Sequence, residues 1–207
     1  MFYESAGNRH GLRHDPFKAI VSPRPIGWIS TRSVQGALNL APYSFFNAVS
    51  DDPMMVMFAS AGVKDSVTFA HESGEFVANL ASGDLAMAVN RSSAPAERGV
   101  SEFDIAGLTA APSHIVAAPR VAEAGASLEC KVTQILQPTT LDGGKSSWTI
   151  VIGEVVGIHI ADRIIRDGRI DMMLAAPLAR LGYLDYAVTD RVFEMHRPRK
   201  ADGTDAS

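Results

Sequence analysis

Two neighbouring segments of the chain combine hydroxyl side chains, aromatic rings, glycine and proline within a short distance. They read SPRPIGWIST at residues 22–31 and NLAPYSFF at residues 39–46. Hydroxyls and free backbone amides can hydrogen-bond the polar edge of a planar ligand, and aromatic side chains offer apolar surface to its face. This combination favours a binding site for a flat ligand with polar edges.

A third segment, AGVKDS at residues 61–66, adds groups that could bind an anion. It follows an apolar run typical of a strand, and we expect a helix to begin near Lys64. The free amides and the macrodipole at a helix start favour an anion, to which Lys64 and Ser66 would add a charge and a hydroxyl. Singly, such residues more often form turns or solvated charges. Together with the first two segments they favour an anionic ligand.

Several other kinds of site are excluded. The sequence GGKS at residues 143–146 resembles the end of a phosphate-binding P-loop, but the earlier glycine position is Thr139 and a strand, not a helix, is expected to follow. No GxGxxG sequence follows an expected strand, which argues against a Rossmann site. The histidines are scattered and Cys130 is the only cysteine, so we expect neither a metal site nor a disulfide.

Strand patterns outnumber helix patterns, which predicts a mainly β fold with helical insertions. Short apolar runs bounded by Pro, Gly, Asp and Ser predict strands at residues 26–31, 54–60, 75–81, 127–139 and 148–162. A hairpin tip is expected at residues 142–144. Gly153 and Gly157 lie inside the last strand, where glycines often mark bulges or bends. Helices are expected at residues 64–73, 85–90, 101–105 and 175–181.

Composition limits the class of protein further. The chain has 207 residues, 46% of them hydrophobic, and a net charge of -4. This length fits one domain, and the negative charge argues against nucleic acid as a partner. The N-terminus lacks the apolar core of a signal peptide, and no apolar run approaches the ~20 residues that span a bilayer. We therefore expect no membrane association and a cytoplasmic location, with a flexible tail at residues 197–207.

The order and spacing of four motifs resemble the flavin reductase-like family of FMN-binding split β-barrel proteins. The motifs are RPIGWIST at residues 24–31, NLAPYSFFN at 39–47, KDS at 64–66 and GEFVAN at 74–79. That family includes flavoredoxin and the reductase components of two-component flavin monooxygenases. The resemblance covers about residues 15–198 and includes a segment at residues 94–99, so one flavin reductase-like domain spans the chain.

The resemblance implies a Greek-key split barrel that forms a homodimer and holds FMN noncovalently, with FAD left open as the alternative. It implies that the ring lies against Trp28, Ile29, Ser30 and Thr31. It places Tyr43, Ser44 and Phe45 near the ring and ribityl chain, and Ser60, Lys64 and Ser66 at the phosphate. Arg91 and Tyr183 match positions that can reach the flavin. His159 is a candidate contact for a nicotinamide, although a satisfied strand histidine is the more frequent role.

The function implied is an NAD(P)H-dependent flavin oxidoreductase in which the flavin carries the redox chemistry, so no catalytic side chain is expected. Two alternatives remain: a flavoredoxin-like electron carrier without its own NAD(P)H activity, and a plain flavin-binding protein. The missing GxGxxG sequence does not separate them, because NAD(P)H could stack on the flavin in a shared cleft. The choice between NADH and NADPH, the flavin or protein that accepts the electrons, and whether the flavin exchanges also stay open.

Overall fold

The computed structural model describes residues 1–94, 96 and 100–196. The expected tail at residues 197–207 lies outside the described residues, as do residues 95 and 97–99 of the segment that resembles the family. The centre of the protein is a seven-stranded antiparallel sheet with the strand order β3-β2-β6-β9-β10-β5-β4. Smaller sheets, in the orders β1-β13-β14, β11-β12 and β7-β8, lie beside it.

The strand bounds are β1 Arg24–Pro25, β2 Gly27–Arg32, β3 Leu38–Tyr43, β4 Phe46–Asp51, β5 Met54–Ala61, β6 Glu75–Leu80, β7 Ala110–Ala111, β8 Arg120–Val121, β9 Ala126–Leu136, β10 Trp148–Ile160, β11 Ile165–Arg166, β12 Arg169–Ile170, β13 Leu178–Arg180 and β14 Tyr186–Val188. The α-helices are α1 Phe17–Ile20, α2 Asp65–Ser73, α3 Ala86–Arg91, α4 Glu102–Ala106 and α5 Met172–Ala175. Within the described ranges, no helix is long and apolar enough to cross a lipid bilayer.

The large sheet curls because its two edge strands are consecutive along the chain. Only Ser44 and Phe45 separate β3 from β4, although five strands lie between these edges in the sheet. The backbone N–H of Ala59 donates to the carbonyl of Phe45 at 2.8 Å, which ties this link to β5. Such closure removes most of the exposed sheet edge. The predicted mainly β fold with helical insertions is confirmed.

Gly153 and Gly157 mark the irregular points of the β9–β10 pairing, as expected. The register shifts between Ile152 and Gly153 and again between Val155 and Gly157. A Cβ at position 153 would lie 2.4 Å from Cε1 of Phe76 in the core. Glycine is needed there because the aromatic ring packs directly against the backbone.

The expected strands and three of the four expected helices are present, with bounds shifted by at most three residues. The hairpin tip is also present, because Thr139 and Lys145 pair across it. The helix expected at residues 175–181 is wrong. Helix α5 ends at Ala175, and Pro177 has no N–H with which to continue it. Residues Leu178–Arg180 form β13 instead, which pairs with β1.

Strand β2 is buried on both faces. Trp28 packs in an outer cluster with Val89 and Phe103, from α3 and α4, whereas Ile29 packs with Phe58 inside the curled sheet. Successive side chains of a strand point to opposite faces, so these neighbours enter different clusters. The first five residues of the strand are all buried.

A buried carboxylate, Glu129 on β9, fastens a loop to the sheet. It accepts hydrogen bonds from the backbone N–H groups of His114 (2.7 Å), Ile115 (2.6 Å) and Val116 (3.0 Å). His159 Nε2 lies 2.5 Å from its Oε1. Burial alone would raise the pKa of Glu129, but these donors lower it to about 2. The charged carboxylate makes His159 a hydrogen-bond donor with a structural role.

Candidate functional site

A cavity of about 560 Å³ lies beside the link between β3 and β4. We call it the main cavity. Its walls come from β3, the link, β5, the start of α2, the connection between α3 and α4, and Trp148 at the start of β10. A volume of several hundred Å³ is typical of small-molecule sites, roughly 300–1,000 Å³. The curling of the sheet thus brings two of the three segments singled out in the sequence, residues 39–46 and 61–66, to one place.

One end of the main cavity is the N-terminus of α2. Lys64 is the residue before the helix, with an extended backbone (φ -121°, ψ 168°), and its side chain is exposed. The first backbone bonds to its carbonyl come from Val67 and Thr68, so the amides of Asp65 and Ser66 have no partner within the helix. These amides, the helix macrodipole and the Lys64 charge favour an anion. Asp65 is the opposing charge at this end.

The floor of the main cavity is a chain of polar side chains. Ser66 Oγ donates to Asn39 Oδ1 at 2.5 Å, and Asn39 Nδ2 donates to Glu102 Oε1 at 3.1 Å. The other oxygen of Glu102 accepts the backbone N–H of Leu40 at 3.0 Å. Asn39 and Glu102 are buried, and both line the cavity. The network fixes the orientation of Ser66 from two distant parts of the chain.

Two buried hydroxyls near this floor, Tyr43 Oη and Ser60 Oγ, make no hydrogen bond of normal geometry with a described residue, although the Tyr43 hydroxyl lies close to Ser60 and Ser66. Burial raises the pKa of Tyr43, so its hydroxyl stays protonated. The Tyr43 ring lines the cavity and packs on Phe58 at 4.9 Å between centroids. Buried hydroxyls are nearly always satisfied in native proteins. Their position beside the helix start therefore fits a polar ligand group.

The apolar wall of the main cavity is made by Phe45 and Trp148. Their ring centroids are 4.5 Å apart at an interplanar angle of 45°, and both rings line the cavity. Phe45 belongs to the predicted set, but Trp148 was predicted only as the start of a strand. Pairing of β10 with β5 places Trp148 opposite Ala61, next to the turn that leads to Lys64.

The structure brings five of the predicted residues to the main cavity: Tyr43, Ser44, Phe45, Lys64 and Ser66. Ser60 lies just behind the wall, between the lining residues Ala59 and Ala61. Three others lie elsewhere. Arg91 is exposed and donates to the carbonyl of Ala106 at 3.1 Å, Tyr183 lines a neighbouring cavity, and His159 is held by Glu129.

The segment expected to face the ligand ring does not reach the main cavity. Trp28, Ile29, Ser30 and Thr31 are all 0% exposed, and their side chains are packed in the core or bonded within it. The alternating faces of β2 are both covered, which leaves no ligand-facing side. Trp28 holds one of the lining residues in place: its Nε1 donates to Ser92 Oγ at 2.9 Å, and Ser92 lines the main cavity.

Asn39, Glu102 and Trp148 are among the lining residues that sequence reasoning did not assign to the site. Asn39 stands in the quoted NLAPYSFF segment, which was a usable signal. Glu102 lies in the helix expected at residues 101–105, and that helix is present: at its start, Ser101 Oγ accepts the N–H of Phe103 at 3.3 Å. Nothing local indicates that its carboxylate lies under Asn39, 63 residues away.

The curled antiparallel sheet places the protein among β-barrel-like folds. The helix start at Lys64 and the aromatic wall of the cavity could together hold a planar ligand that carries an anionic group. The chain belongs to the flavin reductase-like family, since the model of the "Flavin reductase like domain" matches residues 21–178. An uncharacterized protein of Halalkalibacterium halodurans is 36% identical over 183 residues, which cover 86% of this chain and 87% of that protein.

Solved structures agree with this assignment. Component B of nitrilotriacetate monooxygenase from Bacillus cereus is similar, with a TM-score of 0.83, 29% identity and coverage of 94% of this chain and 98% of that chain. The 2-nitrobenzoate 2-nitroreductase of Pseudomonas fluorescens has a TM-score of 0.82, 25% identity and coverage of 96% of both chains.

A protein of Shewanella frigidimarina described as having a split barrel domain has a TM-score of 0.79 at 20% identity, covering 96% of this chain and 100% of that chain. At this identity the likeness shows the fold alone, which is the predicted split barrel. The family and these neighbours together support a flavin-related oxidoreductase function.

Proposed function

We propose that the protein is an NAD(P)H-dependent flavin oxidoreductase that holds FMN noncovalently in the main cavity. One observation carries the proposal: a single cavity joins an anion-binding helix start to an aromatic wall. FMN has a phosphate at one end and a planar ring system at the other, so the two ends of the cavity match the two ends of the ligand. Family membership supports the same assignment.

The phosphate would be held by Lys64 and by the backbone amides of Asp65 and Ser66, while the Ser66 hydroxyl keeps its proton on Asn39 Oδ1 and fixes the helix start. The buried hydroxyls of Tyr43 and Ser60, which have no partner among the described residues, stand beside this end. Charge-assisted hydrogen bonds to a phosphate are about twice as strong as neutral ones. FMN fits better than riboflavin because riboflavin leaves the helix start without an anion. The exposed Lys64 leaves this end open, so FAD is the alternative that a binding measurement must compare.

The ring system would lie against Phe45 and Trp148, with Ser44 available to its polar edge. Bound FMN supplies the capacity to accept a hydride and pass electrons onward. The chain itself orients the ring with the aromatic wall and keeps the floor rigid through Glu102 and Asn39. The pyridine nucleotide would enter the same cleft, which requires no glycine-rich dinucleotide motif.

Binding and reduction of the flavin test the proposal separately. Flavin-free protein is titrated with FMN, FAD and riboflavin, with quenching of flavin fluorescence as the readout. The FMN-loaded protein is then mixed anaerobically with NADH or NADPH, and the loss of the flavin's visible absorbance is followed against free FMN. Faster loss than for free FMN supports the oxidoreductase. Tight FMN binding without reduction by either nucleotide excludes the oxidoreductase and leaves an electron carrier or a plain flavin-binding protein, and absence of FMN binding contradicts the proposal.

We also propose that the protein forms a homodimer, as the family resemblance implies. Large apolar side chains are exposed on several strands, among them Val49 on β4, Met54 on β5 and Ile158 on β10. Exposed apolar surface that is contiguous often marks an interface between chains. Sedimentation analysis should give twice the mass of the 22.1 kDa chain. A monomer at micromolar concentration would refute the dimer without affecting the flavin site.

A further inference from the structure

A second cavity, of about 300 Å³, adjoins the main cavity and is lined by Lys18, Arg24 and Arg180. We call it the basic cavity. The two cavities lie side by side, because they share four lining residues: Lys18, Pro42, Ser44 and Ser93. Among the described residues, no Asp or Glu lines the basic cavity, and the ion pairs found among them all involve other cations. Within this part of the chain, its positive charges therefore have no carboxylate partner.

Arg24 is buried and forms no ion pair with a described residue. It is 7% exposed, and its side chain donates to the carbonyls of Lys18, Val21 and Leu181, the last at 2.8 Å. Its Nε has no hydrogen-bond partner in the part of the chain that the structure describes. Carbonyl oxygens satisfy N–H groups, but they leave the net charge uncompensated. A buried cation of this kind is costly unless an anion accompanies it.

Arg180 stands directly opposite Arg24 in the β1–β13 pairing. Burial and, after it, the charge of Arg180 lower the pKa of Arg24, so the two guanidinium groups destabilise each other. Arg180 is held in place: it donates to the Tyr183 carbonyl at 2.5 Å and to the Tyr186 hydroxyl, and it lies 4.4 Å from the Tyr186 ring centroid. The repulsion is thus built into a fixed geometry that an anion would relieve.

We propose that the basic cavity binds the diphosphate group of the nicotinamide dinucleotide that reduces the flavin. This inference rests on the proposed function. A diphosphate carries two negative charges, which matches three nearby cations better than a single carboxylate does. Guanidinium groups suit phosphate oxygens because their planar N–H groups can bond in pairs. Because the two cavities are adjacent, the nicotinamide would lie in the main cavity while the diphosphate stays beside Arg24 and Arg180. Side chains would then do what a glycine-rich helix start does in a Rossmann fold.

Calorimetric titration of the FMN-loaded protein with inorganic pyrophosphate tests this proposal without relying on turnover, because FMN covers the other anion site. We expect Arg180→Gln to weaken pyrophosphate about ten- to a hundred-fold, the worth of a charged hydrogen bond. Lys18→Gln gives a second variant that leaves the β1–β13 pairing untouched. Arg169→Gln is the matched control, since the side chain of Arg169 is 81% exposed and lines neither cavity.

Kinetics give a second, independent readout. Arg180→Gln should raise the KM for the dinucleotide by the same factor and leave the KM for reduced nicotinamide mononucleotide, which has no diphosphate, unchanged. Pyrophosphate affinity that is equal in the wild type, Arg180→Gln and Lys18→Gln would overturn the proposal. So would Arg180-dependent binding of benzoate in place of pyrophosphate, which would assign the cavity to a carboxylate.

Failure of the proposed function gives a different pattern. If the protein takes up no FMN, the proposed function fails, and titration of the flavin-free protein still decides the basic cavity. Pyrophosphate binding that is weakened by Arg180→Gln but not by Lys64→Ala would still support an anion site in the basic cavity. Binding weakened only by Lys64→Ala would place the anion at α2 and overturn the inference.

Discussion

Replacing Lys64 with alanine should weaken FMN binding while leaving riboflavin binding nearly unchanged. The two ligands differ only in the phosphate, so the comparison isolates the end of the cavity formed by α2. A hydrogen bond to a charged group contributes roughly 1.5–3 kcal/mol. Because Lys64 is exposed, solvent screening reduces that figure, and we expect a loss of about 1–1.5 kcal/mol, or about ten-fold in the FMN dissociation constant.

The assay is quenching of flavin fluorescence on titration with Lys64→Ala, the wild type and a control. Lys145→Ala is the matched control, because Lys145 lies at the hairpin tip, bonds only to Thr139 Oγ1 at 3.3 Å and does not line the main cavity. The effect on FMN should shrink at high salt. Equal losses for FMN and riboflavin, or an equal FMN loss in Lys145→Ala, would refute the assignment of the phosphate to α2.

The remaining predictions concern the aromatic wall, the bulge and the buried carboxylate. Trp148→Ala should weaken FMN and riboflavin alike, by about 1 kcal/mol or five-fold, in the same titration; a loss confined to FMN would place the ring elsewhere. Gly153→Ala should lower the free energy of unfolding by about 1–3 kcal/mol in urea, because its Cβ would lie 2.4 Å from the Phe76 ring; an unchanged midpoint would contradict that packing. The Glu129 carboxyl has a pKa of about 2 in the folded protein against an ordinary 4.5, so its stabilising contribution is complete above the higher value and declines as pH falls towards the lower. That contribution is about 3 kcal/mol, and Glu129→Gln should remove this part of the acid dependence of urea unfolding; identical pH profiles would show that the carboxylate is not held as described.

Much of the fold follows from local patterns in the sequence. Alternating apolar runs and turn residues identify β2, β5, β6, β9 and β10, and the interior glycines of β10 coincide with its irregular pairing. The helix expected at residues 175–181 fails for a nonlocal reason. Leu178–Arg180 pairs with Arg24–Pro25, and that pairing depends on contacts more than 150 residues apart that no local propensity contains.

Local sequence signals account for part of the lining of the main cavity, and the flavin contacts predicted from them stay predictions. The KDS and YSF segments lie at the main cavity. They could be singled out from the sequence because strand ends and helix starts have recognisable residue types. Trp28–Thr31 shows the limit of such reasoning. A run of small, polar and aromatic residues fits a ligand wall, but both faces of β2 are covered by other elements, and only the tertiary arrangement reveals this. The same holds for Glu102 and Trp148, which reach the cavity from distant parts of the chain.

A crystal structure of the protein with FMN would show directly whether the main cavity is the flavin site. We expect one FMN in the main cavity, with its phosphate within hydrogen-bond distance of Lys64 Nζ and the amides of Asp65 and Ser66. We also expect the ring system to lie against Phe45 and Trp148. A flavin bound with its phosphate away from α2, or a ring that contacts neither aromatic side chain, would contradict this assignment.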